Sequence, residues 1–75
     1  MNTTLSSLAE GTTATVRAMN SSGSMRRRLM DMGLIEGTRV ICIHRSPAGD
    51  PTAYLIRGAV IALRSEDTGK IMVET

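Results

Sequence analysis

Turn signals break this chain so often that no long element can form. They fall at Glu10-Gly11, Asn20-Ser21-Ser22-Gly23-Ser24, Gly33, Glu36-Gly37, Ser46-Pro47-Ala48-Gly49-Asp50-Pro51, Gly58 and Ser65–Lys70. Each cluster carries glycine, proline or a short polar side chain that competes with helix and strand. The chain has 75 residues, enough for one domain spanning 1–75. A domain of that size buries only about 60% of its unfolded surface, so its core is thin.

Between the breaks, most stretches are β-prone. In Thr12–Met19, Ala14, Val16 and Ala18 share one face, and Thr13, Thr15 and Arg17 share the other; period two predicts a half-buried strand. Thr38–Arg45 carries apolar residues on both faces, Val40 and Cys42 against Ile41 and Ile43, which predicts a central strand. Ala53–Arg57 and Val60–Leu63 read as two short strands around Gly58. Ile71–Glu74 reads as a last strand with Ile71 and Val73 inward, and Ser65–Lys70 as a turn or a single 3₁₀ turn. Only Met25–Met32 has helical spacing, with Met25, Leu29 and Met32 on one stripe. Gly33 stands where a helix end favours a left-handed residue, with Leu34 as the apolar contact that accompanies it. Gly37 suits the positive-φ position of a type II turn. About five strands and one short helix predict a mainly β fold, a small barrel, because closure hides short strand edges.

Composition removes several functions. One cysteine permits no intrachain disulfide, and one aromatic residue, Tyr54, builds no base-stacking platform. A net charge of +2 with mixed signs is not a polyanion-binding face. No apolar run approaches the roughly 20 residues needed to span a bilayer. Met1–Leu8 lacks the basic and apolar regions of a signal peptide, so a reducing cytoplasm is expected. Catalysis is not expected either. There is one histidine and no nucleophile elbow, and Gly69-Lys70 has Arg64 where a phosphate loop needs its first glycine.

Three features suggest binding instead. Cys42 and His44 stand two apart on a predicted strand and so share a face. Together they are half of a four-ligand zinc set, or else a core cysteine beside a strand-end histidine. Arg26, Arg27 and Arg28 are spread around the helix circumference by about 100° each and form no groove-facing row. Met30 lies off the buried stripe between Arg26 and Arg27; it is either an apolar anchor for a partner or a side chain packed under the following loop.

Three segments together resemble the ferrous-iron transport protein A family. They are Arg27-Arg28-Leu29-Met30-Asp31-Met32-Gly33-Leu34-Ile35-Glu36-Gly37, the loop Ser46–Pro51, and Ala62-Leu63-Arg64, and the likeness runs from about Leu5 to Glu74. Glu36 replaces a frequent proline before Gly37, and Gly69 falls where the family often continues a short helix. The resemblance implies an SH3-like barrel in the bacterial cytoplasm, at the membrane only through a partner. That partner is the cytoplasmic GTP-binding part of a ferrous iron transporter. No enzyme activity, nucleic-acid ligand or resident cofactor is expected. The same domain resembles the C-terminal SH3-like domain of diphtheria-toxin-repressor-type regulators. The expected partner-binding residues are Met30, Leu34, Arg26, Arg27, Arg45, Pro47, Asp50 and Pro51. The alternative is a metal-responsive module taking Fe(II) or Zn(II) at Cys42 and His44.

Overall fold

The β-prone stretches assemble by alternation into one antiparallel sheet. The computed structural model describes residues 1–75. Its elements are β1 (Asn2–Thr4), β2 (Thr13–Met19), α1 (Gly23–Asp31), β3 (Arg39–Arg45), β4 (Thr52–Ile56), β5 (Ala59–Leu63), α2 (Ser65–Thr68) and β6 (Ile71–Glu74), with a 3₁₀ turn at Leu5–Ser7. The strand order is β1-β6-β2-β3-β4-β5. The mainly β expectation holds, with a sixth strand added. Three polar residues give β1 no hydrophobic signal; its pairing with β6 makes it a strand. The two chain ends meet there. The Met1 amine donates to the Thr75 carbonyl at 3.2 Å, and the Thr75 amide donates to the Met1 carbonyl at 3.0 Å. β1 and β5 end the sheet and do not pair with each other, so strands alone do not close the barrel.

Inward residues alternate as the pattern requires. Thr52, Tyr54 and Ile56 of β4, Ile71 and Val73 of β6, Val40 and Cys42 of β3, and Ala14 and Val16 of β2 are all buried. Tyr54 is the largest fully buried side chain, and its hydroxyl donates to the Leu5 carbonyl at 3.3 Å.

Two bulges correct the simple alternation. The pairing of β2 with β6 shifts between Val16 and Ala18. Ala18, expected inward, is therefore exposed, and Met19 packs against the core instead. In β3 the register shifts between Cys42 and His44. The extra residue reverses the later side chains. Cys42 stays fully buried while the His44 side chain is 68% exposed. The two do not share a face, which removes the geometric premise for a shared metal site.

Helix α1 ends as its sequence predicts. The Leu34 amide donates to the Leu29 carbonyl at 3.1 Å and the Gly33 amide to the Met30 carbonyl at 2.9 Å. These are the two bonds of the Schellman motif, with Leu29 and Leu34 both in the core. Gly33 takes φ +102°, and a Cβ there would lie 2.8 Å from Cδ of Arg57. The following turn closes with the Thr38 amide on the Ile35 carbonyl at 3.0 Å, with Gly37 at φ +91°. The segment expected as a turn or 3₁₀ turn is the four-residue α2, which stops at Gly69.

Two stability measurements test this packing. Gly33→Ala forces an L-residue into left-handed backbone, at a cost of about 1–2 kcal/mol, so Tm should fall by roughly 4–15 °C. The second test is alkaline. Burial pushes the Cys42 thiol and the Tyr54 phenol above their ordinary values of 9.0 and 10.0. The folded chain then keeps protons that the unfolded chain has released, so stability falls with rising pH. Thermal melts should show that loss starting near pH 9, with its earliest part absent in Cys42→Ala.

Candidate functional site

The bulge in β2 also shapes the surface. By turning Ala18 outward it opens a groove of about 370 Å³ between β2, α1 and the corner at Leu34–Glu36. Met19 of β2 and Leu34 lie along its base, while Met30 and Ile35 stand at its mouth. The last two are 42% and 38% exposed, large apolar side chains left in water beside an apolar floor.

Charge frames the groove. Arg26 lines it, one turn before Met30, and its Nη1 donates to the Met19 carbonyl at 2.9 Å. That bond holds the guanidinium across the junction of α1 and β2. On the strand side the Arg17 Nε donates to Glu74 Oε1 at 2.6 Å in an exposed ion pair. Glu36 completes the rim. The arrangement suits recognition of an apolar side chain flanked by charge.

The predicted binding residues divide between this groove and other parts of the fold. Met30, Arg26 and Leu34 come together in it. Leu34, expected both as the apolar contact of the helix end and as a partner-binding residue, is fully buried, because the Schellman turn folds it under α1 onto the core. Arg27 is exposed but outside the lining. Arg45, expected among the partner-binding residues, is bonded within the chain. The β3 bulge turns it to the inner side, and its Nη2 donates to the carbonyls of Leu8 at 2.8 Å and Ser6 at 3.3 Å. It ties the 3₁₀ turn to β3.

The Ser46–Pro51 loop lies elsewhere. The Asp50 carboxylate accepts the Ser65 amide at 2.8 Å and the Ser65 hydroxyl at 3.3 Å, capping α2 from across the chain. Pro47 and Pro51 are exposed, and the Asp50-Pro51 peptide is cis. His44 Nδ1 lies 3.3 Å from Glu10 Oε2, on the outside. No three His, Cys, Asp or Glu side chains gather as a metal-holding set.

Sequence reasoning missed Val16, Arg17, Ala18, Met19, Ile35 and Glu36 as groove residues. Strict alternation hid Ala18, since nothing in Thr13–Met19 marks a bulge. Ile35 did carry a signal: it is an apolar residue with no stripe to join, wedged between Leu34 and the Glu36-Gly37 turn.

The model of the FeoA domain family matches residues 3–75. The chain belongs to the FeoA domain family. A Porphyromonas gingivalis protein, the Fe(2+) transport protein A/Fe(2+) transporter FeoB fusion protein, is 34% identical over 70 residues. The match takes in 93% of this chain and 8% of that much longer relative. The FeoA protein of Chlorobium tepidum is 32% identical, with a TM-score of 0.89 over 95% of this chain and 68% of that one. Stenotrophomonas maltophilia FeoA, solved in complex with zinc and described as an SH3 domain protein, is 27% identical. Its TM-score is 0.84, over 95% of this chain and 88% of that one. The fold alone extends to T. acidophilum IdeR, 23% identical, with a TM-score of 0.85 over 99% of this chain and 34% of that one. The SH3-like architecture expected from the family is therefore present, and the family is tied to ferrous iron transport. No helix is long and apolar enough to cross a membrane.

The inner role of Arg45 can be separated from a binding role. Arg45→Ala removes two hydrogen bonds and strands two carbonyls, so urea unfolding should show a loss of about 1–3 kcal/mol. Arg27→Ala, on the open helix face, should stay within about 0.5 kcal/mol of the parent.

Proposed function

We propose that this chain is a small accessory module of bacterial ferrous iron uptake. It acts on the cytoplasmic side by docking on the GTP-binding part of a ferrous iron transporter. The observation that carries the reading is the Porphyromonas gingivalis fusion, in which a segment 34% identical to this chain shares a polypeptide with a transporter. Covalent joining holds two partners at high effective concentration without any new contact between them. Where the module is a separate chain, the contact itself must supply the affinity.

The groove beside Met30 is the surface that suits such a contact. Met30 and Ile35 supply apolar area that loses water on docking. The Schellman turn and the Arg26 bond to Met19 hold the walls in place, which lowers the ordering cost of binding. Arg26, with Arg27 at the margin, steers an acidic surface toward the groove, an effect on association rate more than on affinity. Arg45 and Asp50 lie outside this contact, bonded within the chain, and so does the Pro47–Pro51 loop.

Calorimetry with the purified GTP-binding domain of the transporter tests the proposal. Met30→Asp should weaken binding at least tenfold without changing the fold, because Met30 is already part-exposed. Pro47→Ala should bind as the parent does. Equal binding by Met30→Asp would remove the groove from the contact, and no binding by the parent chain would remove the partner.

A further inference from the structure

The two ends of the sheet differ in how they are guarded. β1 has three residues, all polar, and runs at once into the 3₁₀ turn. β5 has five residues, Ala-Val-Ile-Ala-Leu, with no charge and no proline. Its register with β4 is unbroken from Thr52↔Leu63 to Ile56↔Ala59. No backbone hydrogen bond joins residues 59–63 to anything but β4. Natural edges are protected by charge, proline, a bulge or shortness, and β5 has none of these.

The outer face beside this edge is apolar as well. Ile41 of β3 opposes Leu55 of β4, and Leu55 opposes Val60 of β5. Val60 is 65% exposed. Ala53 and Ala62 form a second opposed pair one step along. A strand added to β5 would extend both rows.

We propose that this edge pairs with the β5 edge of a second copy, antiparallel about a two-fold axis at Ile61. Charge selects both the occupant and the direction. Arg57 precedes the strand, and Glu66 and Asp67 stand just beyond it in the first turn of α2. None of the three makes an ion pair within its own chain. Antiparallel pairing brings the Arg57 end of each copy beside the Glu66 and Asp67 end of the other, twice over; the exposed Arg57 side chain, whose stem rests over Gly33, swings to the edge to meet them. Parallel pairing would set Arg57 against Arg57. With Ile61 on the axis, Val60 opposes the other copy's Ala62, so outward residues meet outward residues. A slip of one residue would turn each apolar row against the other copy's inner face. The same surface patch serves both copies, as a two-fold contact demands.

Two five-residue strands bury less than the roughly 1,200 Å² of lasting interfaces, so the dimer is a reversible, concentration-dependent one. It leaves the Met30 groove uncovered, since that groove contains no residue of β5.

Sedimentation equilibrium of the full chain over a concentration series tests the pairing. The mass should rise from 8.0 kDa toward twice that value, and amide exchange at 59–63 should slow as concentration rises. Ala62→Lys, a charge on the outer face of the edge, should raise the dimer dissociation constant at least tenfold. Arg57→Glu should weaken the dimer too, and adding Glu66→Arg and Asp67→Arg in the same chain should restore it. A mass of 8.0 kDa at millimolar concentration overturns the proposal. So does a dimer that neither Ala62→Lys nor Arg57→Glu disturbs.

Discussion

One aromatic ring organises the interior. Without Phe or Trp, the chain has Tyr54 as its only large planar side chain, fully buried on β4. A buried phenol requires a partner for its hydroxyl. Tyr54 finds it in the Leu5 carbonyl, a backbone group far away in sequence. The need to satisfy one polar atom thus fixes where the amino-terminal segment must lie. Arg45 repeats the device from β3, donating to the carbonyls of Ser6 and Leu8. Two side chains from neighbouring strands thereby hold one segment, and Leu5 and Leu8 complete the core from it.

Helix and turn chemistry was the most legible part of the fold. The stop at Gly33 and the apolar contact at Leu34 depend on residues adjacent in sequence, and local rules suffice for them. The strands were legible in position but not in every orientation. A bulge inserts one residue without a local signature, and each one reversed the facing of what followed. That cost the sequence reading Ala18 on β2, and both His44 and Arg45 on β3. β1 escaped notice because three polar residues become a strand only by pairing with β6.

The candidate site shows the same division. Met30 was conspicuous because it breaks a helical stripe, a pattern visible along nine residues of helix. The opposite wall of the groove comes from the irregular end of β2, where alternation misleads. Asp50 illustrates a further limit. An aspartate in a proline-rich loop looks available to a partner, yet its carboxylate is already occupied by Ser65. Sequence displays a side chain's chemistry, whereas its availability depends on neighbours brought in by the fold.

The meeting of Met1 with Thr75 bears on how such a domain is joined to larger proteins. A polypeptide that enters and leaves a fold at one point can be grafted into a surface loop of a host without stretching either junction. It can equally hang from a single tether. On both routes the hinge sits at the β1–β6 side of the sheet, next to Glu74, whose carboxylate holds Arg17 at the rim of the groove. Architecture alone therefore lets evolution change how the module is attached without redesigning what it presents.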